Sequence, residues 1–393
     1  MPVLGFACLT LAAAAVAVQY ASSFLAAQRC RRGRRPPAPA QRPPVTLVRP
    51  LCGLEPFSRE TLSSTFAIDY PAVEILFCVE DGDDPVLPLV RTILAEHPGR
   101  DARILIGADS VGANPKLNNM TKGFRQSSFE HIVFVDSNVF TPPDYLDQLM
   151  ATLHQGAGMV TAPPVGGAPV GFWADLECAF LNSYQARMQY AVDTLGHGFA
   201  QGKTLCFHRA DLDNGGFARL AEEPAEDAAA TRMMMACGRR IRLAGPFAQL
   251  IGPRSATQVW KRQLRWARLR RASFPLLFAP ECLAGLVPPL LALLVGLASL
   301  GLASAGAAGA FIALWYLPEL LLLRVAGWPR SLPALLLRDL MLPMIFVAGC
   351  AGSSFEWHGR PMSASRRSGP ASRLARMHPR LLWGRLASRN PFG

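Results

Sequence analysis

At 393 residues the chain is longer than one ordinary domain. Only 17% of its residues are charged, and a mean hydropathy of +0.20 excludes a wholly water-soluble protein and points to membrane segments. The net charge of +12 comes mostly from arginines massed beside apolar stretches, which favours a membrane surface as partner and, with no interleaved aromatic–basic array, excludes nucleic acid.

The first apolar run, residues 3–27, is long enough to cross a bilayer, and Arg29, Arg31, Arg32, Arg34 and Arg35 follow it at once. A cleaved leader carries its charge before the apolar core. Residues 1–28 therefore read as an uncleaved anchor, with its basic flank and all that follows on the cytoplasmic side. Residues 29–44, basic and proline-rich, read as a stiff linker. The nine cysteines lack CxxC spacing, so buried reduced thiols are expected rather than disulfides or a zinc framework.

From Val45 short apolar segments alternate with longer ones, the sign of an α/β domain with a mainly parallel sheet. The expected strands are 46–49, 74–79, 103–106, 131–135, 159–162, 204–208 and, closing the sheet, 241–244. A helix over 57–66 joins the first two. The second strand runs into Glu80-Asp81-Gly82-Asp83-Asp84-Pro85, a crowd of acids that is either a solvated turn or one facing a donor-rich ligand. After the third strand, Asn114-Pro115-Lys116-Leu117-Asn118-Asn119 starts a helix. It is either a capped turn or a place where amides and Lys116 meet an anionic or uracil-like group. The buried run 132–135 ends in Asp136-Ser137-Asn138. Ligands of open α/β sheets gather at the carboxyl ends of strands, and a carboxylate there can hold a hard divalent ion; a plain turn capped by Asp136 is the alternative.

A helix with aromatic spacing is expected over 172–190, followed by the glycine-rich stretch ending in Gly202-Lys203, which lacks the pattern of a Walker loop. Glu226-Asp227 then opens an alanine- and methionine-rich helix, where acids are ordinary dipole partners and the methionines read as core. In the run 259–271, Arg262, Arg265, Trp266 and Leu269 share one helical face. Two guanidinium forks and an indole so placed suit a diphosphate, and the same helix can lie on a membrane. Apolar segments follow near 283–300, 303–323 and 332–350. The last holds Arg338-Asp339, costly at bilayer depth, and reads as re-entrant, which keeps the arginine-rich tail in the cytoplasm. The division is thus 1–28 anchor, 29–44 linker, 45–272 catalytic domain, 273–355 membrane region and 356–393 basic tail.

Taken together and in order, Asp81, Asn114-Pro-Lys-Leu-Asn-Asn, Asp136, Gly202-Lys203, Glu226-Asp227 and Arg262-Gln-Leu-Arg265-Trp266 before membrane helices resemble the ceramide glucosyltransferase family. The segments 47–53 and 78–85 resemble that family's amino-terminal blocks. The resemblance implies a GT-A fold and inverting transfer of a hexose, glucose first, from a UDP-sugar to a membrane lipid hydroxyl, ceramide first, at the cytosolic face of a bacterial inner membrane. It implies that Asp81, Lys116, Asp136, Gly202 and Lys203 bind the donor. Asp136, with Asn138, would ligate Mg²⁺ or Mn²⁺, Asp227 would be the general base, and Arg262, Arg265 and Trp266 would close on the diphosphate. One departure is that Ser137-Asn138 follows Asp136 where relatives often carry Ser-Gly or a second Asp. Rival readings are a hopanoid or diacylglycerol glycosyltransferase, a processive polysaccharide synthase, and a membrane-anchored sugar-nucleotide or lipid binder without catalysis.

Overall fold

The computed structural model describes residues 2–32, 39, 41–109, 111–112, 114–213, 216–221, 225–357 and 360–364. Residues 33–38 and 40 of the linker, Arg34 and Arg35 among them, and residues 358–359 and 365–393 of the basic tail lie outside the described residues.

Seven strands form the central sheet: β1 Val45–Leu51, β2 Val73–Val79, β3 Ala102–Ile106, β4 His131–Val135, β5 Met159–Thr161, β7 Thr204–His208 and β8 Ile241–Leu243, in the order β3-β2-β1-β4-β7-β5-β8. β7 runs antiparallel to β4 and β5, and every other pairing is parallel. Both faces are covered, which is why these strands read as continuous apolar runs rather than alternating ones. Val48, Leu76, Ile132 and Phe134 point to one face, where Leu117 and Met120 of the Pro115–Gln126 helix and Met233 and Met234 of the Glu226–Ala236 helix meet them. Leu47, Val133 and Val135 point to the other, against Tyr145, Leu146 and Leu149. Gly123 lets its helix press onto β1, since a Cβ there would sit 2.3 Å from Val48 Cγ1.

Beyond a short antiparallel hairpin over Ser354–Trp357 and Arg360–Ser363, two strands of the α/β region are absent from the sequence expectation. β6 Pro164–Val170 and β9 Phe247–Pro253 pair in parallel as a separate ribbon. Their glycines and prolines disguise them, and those residues are tolerated because the ribbon is not part of the main sheet. So 241–244 does not end the strand sequence. The helix from Phe172 runs on to Thr194, with a π-helical stretch over Phe180–Ala186. There the buried Asn182 side chain hydrogen-bonds both the N–H and the carbonyl of Gly166 (2.6 and 3.0 Å), locking helix to ribbon.

Among the described residues, three helices are long and apolar enough to cross a membrane: Val3–Arg31, Ala305–Ala326 and Leu332–Cys350. The expected span at 283–300 is instead a pair, Pro275–Leu283 and Val287–Ser299, bent by 51°. Pro280, Pro288 and Pro289, with Gly285 at φ +80°, account for the break. The interruption therefore falls there, and the segment expected to be re-entrant is a continuous helix. Arg338 and Asp339 do not break it because both are fully partnered. Arg338 pairs with Glu319 at 2.9 Å and Asp339 at 2.8 Å, and Asp339 also accepts from Trp315 Nε1, Tyr316 Oη and the Leu286 N–H. Gln19 of the amino-terminal helix donates to Glu319 at 2.6 Å and accepts from Arg187, which ties that helix to the α/β unit. Breaking such a buried network by removing one charge costs about 3–5 kcal/mol. Arg338→Leu is accordingly expected to lower the thermal unfolding temperature of the purified protein in detergent sharply, whereas exposed Arg91→Leu leaves it nearly unchanged.

Candidate active site

The site lies where β1, β4 and β7 end or begin. Because β7 runs antiparallel to β4, with Val135 opposite Thr204, Lys203 stands beside Asp136, whose N–H donates to the Lys203 carbonyl at 3.1 Å. The Asp136 carboxylate sits between two ammonium groups, Lys116 on Oδ1 at 2.6 Å and Lys203 on Oδ2 at 2.6 Å. Burial alone would raise its pKa; Lys116 and Lys203 outweigh that and hold it at about 2. Lys116 is raised for the same reason, its burial outweighed by Asp136 and Glu226, whereas burial lowers Lys203.

The Asn114 side chain caps the Pro115–Gln126 helix by accepting from the Lys116 and Leu117 N–H groups, and its own amide donates to Glu226 Oε2 at 2.9 Å. Glu226 Oε1 meets Lys116 at 2.7 Å. Lys116 is thus a bridge between the strand carrying Asp136 and the helix carrying Asp227. Asn118 and Asn119 serve the scaffold: the first binds the 111–112 loop, the second donates to the Leu51 carbonyl at the end of β1.

Asp227 accepts the Gly202 N–H on Oδ2 at 2.8 Å and the Ala228 N–H on Oδ1 at 2.7 Å. Burial, followed by the neighbouring charge of Glu226, raises its pKa to about 6. A Cβ at Gly202 would lie 2.7 Å from Glu226 Oε1 and 3.1 Å from Lys116 Nζ, so a larger residue there would push those two charged ends aside.

The Ala256–Ser273 helix opens with a capping box at Ser255 and Gln258. Arg262 lies over the Trp266 ring at 4.7 Å, donates to Gln249 Oε1 at 3.1 Å and pairs with buried Glu177 at 3.1 Å. Burial, and after it Arg262, lowers Arg265 to about 10, and Glu226 and Asp136 are among the acids acting on it. Trp266 packs on Ile251 and Cys178.

The expected residues thus gather, with one exception. Asp136, Asn138, Lys116, Lys203, Gly202 and Asp227 form one hydrogen-bonded cluster, and the Arg262–Arg265–Trp266 face flanks it. Asp81 stands apart at the end of β2, exposed, accepting the Asp83 N–H at 3.0 Å.

Three residues that the sequence reading left out belong to the site. Arg49, fully buried in β1, donates to the carbonyls of Asp136, Ser137 and Val139 at 3.4, 3.3 and 3.0 Å and so shapes the turn. An arginine inside an apolar strand was the available signal. Gln249 and Glu177, which seat Arg262, had none, since one lies on the missed ribbon and the other inside an unremarkable helix.

Lys203 Nζ also donates to Asn138 Oδ1 at 3.1 Å. Asp136 Oδ2 and Asn138 Oδ1 thus converge on one position that the Lys203 ammonium fills, and oxygen donors of this kind suit Mg²⁺ or Mn²⁺ once that ammonium turns to a phosphate. Among the described residues no set of three His, Cys, Asp or Glu side chains gathers for a metal. An ion there would complete its shell with water and phosphate oxygens, the usual habit of Mg²⁺.

The model of glycosyl transferase family 21 matches residues 9–369. Ceramide glucosyltransferase 1 of Caenorhabditis elegans is 29% identical over 263 residues, covering 66% of this chain and 56% of the relative. The Candida albicans ceramide glucosyltransferase is 34% identical over 127 residues, 29% of this chain and 23% of the relative. The chain thus spans little more than half the length of the first of these. Among solved structures, the Pyrobaculum calidifontis mannosyltransferase PcManGT in complex with GDP-Man and Mn²⁺ is 18% identical at a TM-score of 0.49, covering 88% of this chain and 98% of that one. The mainly parallel sheet and the ordered motifs agree with a match that spans almost the whole sequence, and the chain belongs to glycosyl transferase family 21, with the GT-A type of fold that its motifs implied.

Proposed function

We propose that this protein transfers glucose from UDP-glucose to the hydroxyl of a membrane lipid, ceramide, with inversion, at the cytosolic surface of a bacterial inner membrane. The observation that carries this reading is the Asp227 carboxylate. It is fixed by two backbone amides and tuned to about 6, and the cation-rich Lys116–Asp136–Lys203 cluster lies beside it. The curated ceramide glucosyltransferases that match the chain support the choice of acceptor and sugar.

In the proposed step the acceptor oxygen forms a bond to the anomeric carbon as the bond from that carbon to the β-phosphate oxygen breaks. The electron pair leaves with UDP, and the hydroxyl proton passes to Asp227. Asp81 holds the uridine part. Lys116, Lys203, Arg262 and Arg265 stabilise charge developing on the diphosphate, and their preset positions spare reorganisation during the step. Arg262 is held for this by Gln249, Glu177 and Trp266. Asp136 and Asn138 are the residues that would hold a divalent ion, which when bound would supply positive charge against the diphosphate. The Ala256–Ser273 helix packs on the Leu332–Cys350 helix through Ala267 and Gly349, which joins the helix carrying Arg262 and Arg265 to a candidate membrane span.

Two outcomes test the reading. In membranes given radiolabelled UDP-glucose and ceramide, Asp227→Asn is expected to lose about 10²–10⁴-fold in rate while remaining folded. Near-full turnover by that variant would remove Asp227 from the role. A base must be deprotonated to act, so kcat/KM is expected to hold steady above pH 6 and to fall about tenfold per unit below Asp227's pKa of about 6. Label entering diacylglycerol, a hopanoid or a water-soluble polymer instead of ceramide would move the acceptor assignment.

A further inference from the structure

The Asp136-Ser137-Asn138 turn ends in a neutral amide, where a second carboxylate would give a bound divalent ion more charge. Glu55 stands directly behind it. Its carboxylate takes one hydrogen bond on each oxygen, from Ser137 Oγ to Oε1 at 3.0 Å and from Asn138 Nδ2 to Oε2 at 2.9 Å. The backbone fixes Glu55 in turn. Its N–H donates to Ser58 Oγ at 2.8 Å, and its carbonyl accepts from the Ser58 N–H at 3.1 Å. The chain then passes through Phe57 at φ 63° and closes on Gly252 of β9, where a Cβ would come within 2.5 Å of Pro56. Glu55 is thus held against the turn rather than left to swing.

An amide can face either way, and here both neighbours select the same way. The Nδ2 group meets a carboxylate, and Oδ1 meets the Lys203 ammonium at 3.1 Å. Rotating the amide by half a turn would set its oxygen against Glu55 and its NH₂ against Lys203, two repulsive contacts in place of two attractive ones. Lys203 also binds Asp136 Oδ2, so the orientation that Glu55 enforces makes the Asp136 and Asn138 oxygens converge on one cation position.

We propose that Glu55 is a positioning residue of the donor site. It locks the Asn138 amide with its oxygen turned inward, and it supplies from behind the negative charge that the Asp-Ser-Asn turn lacks, so that Asp136 and Asn138 together hold a divalent cation on a nucleoside diphosphate. This rests on the donor reading above.

The test uses the full chain in detergent and measures Mn²⁺ binding in the presence of UDP from the loss of the free-ion paramagnetic resonance signal, alongside donor KM and kcat. Outer partners of metal ligands typically contribute about 10–100-fold to affinity. E55Q, which keeps the shape of the side chain, is therefore expected to weaken Mn²⁺ binding by about tenfold or more and to raise donor KM with it, with a smaller change in kcat. In the double variant E55Q/N138D the direction of the hydrogen bond is reversed, the glutamine now donating, and the charge returns to the site. That variant is expected to bind Mn²⁺ within about threefold of the parent, a rescue that a merely structural role for Glu55 would not produce. An E55Q protein that binds Mn²⁺ as tightly as the parent, or a double variant no better than E55Q, would overturn the proposal and leave the donor reading standing. A parent protein that binds neither UDP nor Mn²⁺ would overturn both.

Discussion

A single buried carboxylate with a lysine on each oxygen organises this catalytic centre. Asp136 is costly to bury as a charge, and the fold meets that cost with Lys116 from one helix and Lys203 from the next-door strand. Each lysine then reaches a further element: Lys116 meets Glu226 and the Gly202 carbonyl, and Lys203 meets Asn138. The end of β4, the glycine turn before β7 and the start of the Glu226–Ala236 helix are thereby held in one electrostatic unit. Because the attractions are between full charges in a shielded pocket, they set distances more tightly than apolar packing does.

That unit separates the properties of two carboxylates. Asp136, flanked by cations, is held at about 2 and stays ionised. Asp227, buried beside Glu226, is raised to about 6, where a group exchanges protons readily. The difference is one of surroundings, since the side chains are identical. Gly202 leaves room beside Asp227, Glu226 and Lys116, whose charged ends come within 2.7–3.5 Å of where a Cβ would stand.

A second charged network joins the catalytic unit to the membrane helices. Gln19, Arg187, Glu319, Arg338 and Asp339 come from segments far apart in the chain, and each meets a partner of opposite character. At that depth unpaired groups would be expensive. The network fixes the amino-terminal helix and the two carboxyl-terminal spans against the π-helical segment, through Arg338 on Ser183 and the Ala179 carbonyl.

The strands β1 to β5, β7 and β8 were legible from their apolar runs, because burial on both faces leaves a local signature. Their terminal acids, the Asn-Pro-Lys helix start, Glu226-Asp227 and the arginine–tryptophan face were legible too, since each motif is contiguous. The ribbon of β6 and β9 was not, as its glycines and prolines hide a strand from any propensity argument. Arg338-Asp339 was read as a break in a helix because its partners, Glu319 above all, lie on a different one. Nor could the chain reveal that Arg49 braces the Asp136 turn, that Glu177 and Gln249 hold Arg262, or that Glu55 backs Asn138. Sequence by itself determined which chemical groups stand at the ends of which elements, for that is set by local periodicity and short motifs. Only the tertiary structure decided which of those groups share a charge or a hydrogen bond, because such pairings depend on distances between residues that the chain keeps far apart.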